Sequence, residues 1–391
     1  MVNEKIDQAI AIMREQGVDL WLTFVRETTS SPDPVLDLLA GAHVVWPSAF
    51  VLTASGKAVA IVGSLDMHGV RDAASRYDVK GYVDSVAGPL LELLEEEQPK
   101  RIAINYSAND VMADGLSHGL YLILVDYLKG SPWGERLESS EALVAALRGR
   151  KSPAELSRIK SAIRETLDIY DQVTAHVRAG MTEREVAAFI TDLMEARGLT
   201  PAWSADHCPS VFTGPDTAGA HAGPTGRRIE PGHIMNTDFG VRYEGYVSDL
   251  QRTWYFLRPG ESEAPAEVKR GFATIHGAIQ AAAAALKPGV EGWTIDKVAR
   301  QYIIDAGYDE FPHALGHQVG RSAHDGAGLL CPVWDRYKNL PFLKVEIGQV
   351  YTLEPRLTVP GHGVVTIEEM VVVTETGCEF LSEPQRDLLV V

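Results

Sequence analysis

Two aspartates, Asp238 and Asp249, each stand close behind a short apolar run, Ile234-Met235 before the first and Tyr246-Val247 before the second. Aspartate is a poor strand former, so a pair of them flanking a hairpin asks for a chemical reason. If the chain folds back at Arg242 to Gly245, both carboxylates meet on one face. Carboxylates forced together repel, and one takes up a proton unless a cation shares the site. A metal ion is the simplest remedy. Further along come His313-Ala314-Leu315-Gly316-His317, then Glu354 behind Tyr351-Thr352-Leu353, then Glu368 behind Val364-Val365-Thr366-Ile367.

Positioning such groups requires strands that end at one place and helices that hold the strands. Ser152, Pro153 and Glu155 form a helix start, with the serine as cap, proline in the first turn and glutamate reaching back. Thr182 and Glu185 repeat the pattern and open a helix carrying Val186, Phe189, Ile190 and Met194. An alanine-rich helix from about Lys269 to Leu286 stops at Pro288-Gly289, and another runs from Thr294 to about Ala306. Before residue 150 the layout is also α/β. Ile6, Ile10 and Met13 fall at helical spacing up to Gly17, and Leu20 to Val25 reads as a strand buried on both faces. Further strand-like runs lie at 49–53, 58–62 and 101–105, and a helical pattern at 89–97. The polar stretch Glu27 to Pro34 is a loop by composition. No catalytic constellation occurs in this first part, and the character changes near residue 150. Two domains are expected, 1–148 and 149–391.

Composition narrows the partners. The formal net charge of −17 argues against a nucleic-acid backbone or an anionic membrane surface, both of which would be repelled. Cys208, Cys331 and Cys378 have no paired spacing, so neither a disulfide framework nor a zinc ribbon is indicated, and buried thiols are expected. The N-terminus lacks a signal-peptide pattern and no apolar run is long enough to span a bilayer. The cytoplasm is the expected location.

Asp, ten residues, Asp, a His-x-x-Gly-His segment and two glutamates near the C-terminus resemble the metallopeptidases of the pita-bread fold: methionine aminopeptidase, aminopeptidase P and prolidase. The resemblance covers nearly the whole chain, and the size of the N-terminal part makes it similar to the Xaa-Pro branch. It implies a creatinase/prolidase-like α/β domain, serving as scaffold, lid or dimer contact, ahead of a pita-bread catalytic domain. It implies that Asp238, Asp249, His317, Glu354 and Glu368 bind two divalent metals, with Asp249 and Glu368 bridging. Four carboxylates and a neutral imidazole carry four negative charges, which two divalent ions cancel. Oxygen-rich ligation with a single nitrogen suits Mn²⁺ first, with Co²⁺, Fe²⁺ and Zn²⁺ as alternatives. Water bridging the two ions loses its proton near neutral pH, and the hydroxide attacks the peptide bond before proline, with Glu354 as general base. His221, His313 and His324 match histidines that face the substrate and stabilise developing charge. The expected substrate is a small peptide with proline second, and the expected assembly a homodimer.

Three positions depart from the family pattern. Thr366 stands where an arginine is usual, Arg356 where a glycine commonly follows Glu-Pro, and Gln251 in place of a threonine just after the second aspartate. Arg356 is expected to supply the missing cation to the substrate. Two other readings follow from relatives of this fold: a creatinase-related hydrolase of a small non-peptide amide, and a non-enzymatic binding module. Retention of all five ligand positions argues against both.

Overall fold

The computed structural model describes residues 1–217 and 223–391. The chain divides into two compact units, Met1–Arg148 and Gly149–Val391. In the first, Val2–Gln16 is a helix that ends at Gly17, whose φ of 66° is the left-handed conformation a glycine cap adopts without a Cβ penalty. A six-stranded mixed sheet follows, ordered Asp78–Tyr82, Ala58–Gly63, Ser48–Thr53, Leu20–Val25, Ile102–Ile104 and Leu137–Ser139. Every residue of Leu20–Val25, Ser48–Thr53 and Ala58–Gly63 is buried, because helices cover both faces. Trp21, Phe50 and Leu52 pack with Ile6, Ile10 and Met13 on one side. Leu20, Leu22, Phe24 and Val51 pack with Leu90, Leu93 and Leu94 on the other, the last three from the helix Ala87–Glu97. Residues 27–34 form neither helix nor strand.

In the second unit both predicted capping boxes are present, Ser152 with Glu155 at the start of Pro153–His176 and Thr182 with Glu185 at the start of Glu183–Ala196. The helices Ala266–Ala285 and Gly292–Asp305 bury Phe272, Ile275, Ile279, Ile295 and Ile303 against Leu353, Leu357, Val365 and Val371. That core is the floor on which the acid-bearing strands lie. Ile234–Phe239 pairs antiparallel with Leu250–Tyr255 in one sheet. Val350–Leu353 pairs with Glu369–Val373 in a second, and Arg356–Val359 with Gly363–Thr366 as a hairpin. An antiparallel bridge between Gln251 and Glu368 ties the first sheet to the second, and one between Gln318 and Tyr351 brings in the His317 strand. Cys208 and Cys331 are buried and Cys378 is half-buried, all three as free thiols.

The aspartate hairpin differs from its sequence reading in detail. Its tight turn is Glu244-Gly245, flanked by the pair Tyr243 and Tyr246, and φ is positive at both central residues, 45° and 81°. That is the two-residue connection whose twist matches the strands it joins. Asp238 stands opposite Gln251 in the ladder, while Asp249 lies just outside the strand that begins at Leu250. The two aspartates are therefore staggered across the strand pair.

Candidate metal centre

Four segments of the second unit converge on one buried spot. Asp249, His317 and Glu368 each offer a ligand atom there, and these atoms all lie within 4.8 Å of one another. His317 Nε2 is 3.7 Å from Asp249 Oδ2 and 3.3 Å from Glu354 Oε1. His317 Nδ1 faces the Gln318 carbonyl at 3.4 Å. A carbonyl only accepts, so Nδ1 carries a hydrogen, and Nε2, which faces the carboxylates, is the nitrogen that would bind a metal once it gives up its own proton. Gln251 Nε2 donates to Glu368 Oε2 at 2.9 Å and approaches Glu354 Oε2 at 3.5 Å. Asp238 interacts electrostatically with Asp249, Glu354 and Glu368.

The charges of this cluster are not balanced by the protein. Burial, then the charges of Asp249 and Glu354, pushes the Asp238 carboxyl well above its ordinary range. Burial and the neighbouring carboxylates do the same to Glu368. Asp249 is pushed up to about 7, burial outweighing the attraction of His317. Burial disfavours the His317 imidazolium, but the hydrogen bond to Glu354 and the charges of Glu354 and Asp249 overcome it and lift the group to about 9. Glu354 goes the other way, because burial is outweighed by its contact with His317. Without another cation the cluster holds protons in place of positive charge. Asp238 Oδ1 and Glu368 Oε1 are buried with no hydrogen-bond partner, an arrangement that is costly unless a cation meets it. Orphaned oxygens, an oriented imidazole and a surplus of negative charge fit divalent metal ions.

Around the cluster, His313 Nδ1 donates to the Ala314 carbonyl at 2.8 Å, leaving Nε2 as an acceptor. Burial holds His313 below its ordinary pKa and hence neutral. The His324 ring stands edge-on to His317, centroids 4.3 Å apart. Arg356 is half-buried and faces His313 electrostatically. It is the cross-strand partner of Thr366, so the arginine and the threonine that depart from the expected pattern lie side by side. His221 lies outside the described residues.

Sequence reasoning passed over Thr352. Its hydroxyl accepts the His317 backbone N–H at 3.1 Å and donates to Glu354 Oε1 at 3.2 Å, so one side chain spaces the imidazole and the carboxylate. Only its place in the run leading to Glu354 signalled it, and threonine is an ordinary strand residue. Also unread was Met370, whose sulfur accepts the Asp249 backbone N–H at 3.3 Å.

The family model of metallopeptidase family M24 matches residues 157–375, which takes in all the converging segments. The chain belongs to metallopeptidase family M24. Over 331 residues, 84% of each chain, this M24 protein is 29% identical to the Xaa-Pro dipeptidase of Lactobacillus helveticus. Over 324 residues, 82% of each chain, it is 30% identical to the putative dipeptidase YkvY of Bacillus subtilis. The X-Pro aminopeptidase from Thermotoga maritima superposes over 99% of both chains with a TM-score of 0.71 and 25% identity. The Xaa-Pro dipeptidase from Bacillus anthracis superposes over the full length of both with a TM-score of 0.75 and, at 23% identity, shows the shared fold. The M24 unit is therefore a pita-bread domain, and its family is one of divalent-metal peptidases. No helix among the described residues is long and apolar enough to cross a membrane.

Proposed function

We propose that this M24 metallopeptidase hydrolyses the peptide bond before proline in small peptides, as an Xaa-Pro dipeptidase or aminopeptidase. The observation that carries the reading is the cluster of Asp249, His317 and Glu368, with Glu354 in contact with His317, Asp238 facing Asp249 and Glu354 electrostatically, and two orphaned carboxylate oxygens, in a chain whose relatives are named for Xaa-Pro cleavage. These five would hold two divalent ions, with Asp249 and Glu368 shared between them and Mn²⁺ the first choice for so oxygen-rich a set. Bound there, the ions supply an activated water and polarise the scissile carbonyl.

The chain's own groups divide the remaining work. Glu354, the one carboxylate of the five held below its ordinary pKa, accepts the proton of the attacking water and returns it to the leaving proline nitrogen. On this reading His221 and His324 serve the scissile carbonyl as negative charge develops, and neutral His313, whose Nδ1–H is taken by the Ala314 carbonyl, positions the substrate through its accepting Nε2. Arg356 supplies the cation that meets the substrate carboxylate. The same reading makes the protein a cytoplasmic homodimer, with the Met1–Arg148 unit as scaffold, lid or dimer contact.

The deciding experiment is product analysis by mass spectrometry on Xaa-Pro dipeptides, Xaa-Pro tripeptides, non-proline peptides and creatine. It is run with Mn²⁺, with chelator, and with Asp249→Asn protein. The expected result is cleavage before proline that chelator and Asp249→Asn both abolish, with substrate length separating dipeptidase from aminopeptidase. Metal-loaded, folded protein that hydrolyses creatine and leaves every peptide intact would establish the non-peptide hydrolase instead.

A further inference from the structure

Gln251 touches the cluster through both its main chain and its side chain. Its carbonyl accepts the Glu368 backbone N–H at 3.2 Å, and its amide Nε2 reaches Glu368 Oε2 at 2.9 Å and Glu354 Oε2 at 3.5 Å. The residue is 4% exposed, so solvent does not supply an alternative partner. What fixes the amide is Thr366. The Thr366 hydroxyl lies 3.0 Å from Gln251 Oε1 and 3.2 Å from the Pro355 carbonyl, next to Glu354 in the chain. An amide oxygen aimed at two ionised carboxylates would be repelled, so with a metal bound the NH₂ faces them and Oε1 takes the threonine hydrogen. Thr366 is itself clamped, its carbonyl accepting from Thr253 Oγ1 at 2.6 Å, and Thr253 Oγ1 in turn reaches Asn236 Oδ1 at 2.6 Å.

We propose that Gln251 and Thr366 form a positioning pair: Thr366 sets the orientation of the Gln251 amide, and that amide holds Glu354 and Glu368 in place to receive divalent metal. This rests on the reading that the two glutamates are metal ligands. The amide satisfies Glu368 Oε2 while Oε1 is left without a hydrogen-bond partner, so one oxygen is steadied and the other presented. For Glu354, which also accepts from Thr352 on Oε1, Gln251 completes a grip on both oxygens. Neither residue touches the substrate in this scheme, and both act through the carboxylates.

The test is metal affinity, measured by Mn²⁺ competition with a fluorescent chelator on folded protein, alongside the metal-free melting temperature. Thr366→Val is nearly isosteric and removes only the hydroxyl; it should weaken metal binding on the order of tenfold, the usual cost of losing a partner behind a ligand. Thr366→Ser keeps the hydroxyl and should retain wild-type affinity. Gln251→Leu should weaken binding at least as much as Thr366→Val. The double variant should be no weaker than Gln251→Leu alone, because Thr366 works through Gln251. Thr366→Val and Thr366→Ser with equal affinities, or additive losses in the double variant, would overturn the pair. A drop in metal-free melting temperature with unchanged affinity would make it a packing feature and overturn it equally. If Gln251→Leu does not fold, the valine and serine variants at 366 decide alone. Wild-type protein that binds no divalent metal would instead refute the ligand assignment, an outcome the wild-type titration separates from failure of the variants.

Discussion

Glu354 and Arg356 sit two positions apart on either side of a proline, and the structure gives them opposite environments. Glu354 contacts His317 and is held ionised, whereas Arg356 begins a hairpin strand beside Thr366 and faces His313. Their losses should be felt in different constants. Glu354→Gln keeps the shape and removes the proton acceptor, so kcat should fall by roughly 10²–10⁴-fold, with a smaller change in KM. On the proposed reading Arg356 binds substrate in both ground and transition states, so Arg356→Ala should raise KM while kcat is kept. Steady-state kinetics on an Xaa-Pro substrate reads both; an unchanged KM and kcat in Arg356→Ala would remove the arginine from the substrate site. At this scale the sequence was most informative where a residue was out of place. Carboxylates closing apolar runs stood out because water, not a strand end, is their usual surrounding. Thr352 did not, because threonine is an ordinary residue of a buried strand; Gln251 and Thr366 stood out only as departures from the family pattern, and that they bond to each other is set by folding.

Among the elements, the short strand Gly316–His317 places the one imidazole that the described residues bring into the cluster. A Cβ on Gly316 would run into the Thr352 backbone carbonyl, an atom that cannot swing aside as a flexible side chain can. Gly316→Ala should therefore force this strand away from Val350–Leu353. That would lengthen the Thr352 contact to the His317 N–H and destabilise the protein by about 1–3 kcal/mol, the usual penalty for overpacking. Thermal unfolding with chelator, together with Mn²⁺ titration, checks it; a variant with wild-type stability and affinity would show that the backbone adjusts. The long elements were legible because each carries its own signals: capping boxes at Ser152 and Thr182, an apolar run at Leu20–Val25, a glycine stop at Gly17. The contact between Gly316 and Thr352 was not. It joins a strand of two residues to a distant one, and so short a piece has no periodicity to read.

For the molecule as a whole, the cluster makes stability depend on pH in a direction that metal should reverse. Asp249 is raised from 3.8 to about 7, and Asp238 and Glu368 are raised as well. Between the ordinary carboxylate range and about pH 7, the folded metal-free protein thus holds protons that the unfolded chain has shed. Stability falls as pH rises wherever the native state binds more protons, so the metal-free protein should lose stability through this window. His317, raised from 6.5 to about 9, adds a term of the same sign, complete below its unfolded pKa and lost as pH climbs through about 9. Glu354, lowered from 4.5, acts oppositely, but only as pH falls below the carboxylate range. His233 and His313, both depressed by burial, also act oppositely, below 6.5. Asp33, Asp296 and Glu369 are raised too and would contribute with or without metal. The cluster's share is isolated by Asp249→Asn, which cannot ionise and should flatten the metal-free decline between about pH 5 and pH 8. Saturating Mn²⁺ should do more than flatten it. Metal must displace the same protons to bind, so its stabilisation grows with pH. Urea unfolding midpoints across that range, with chelator, with Mn²⁺ and for the variant, read all three curves. Superimposable wild-type and Asp249→Asn curves in chelator would mean that Asp249 does not retain its proton in the folded chain, and the electrostatic case for a cation at this site would lose its main support.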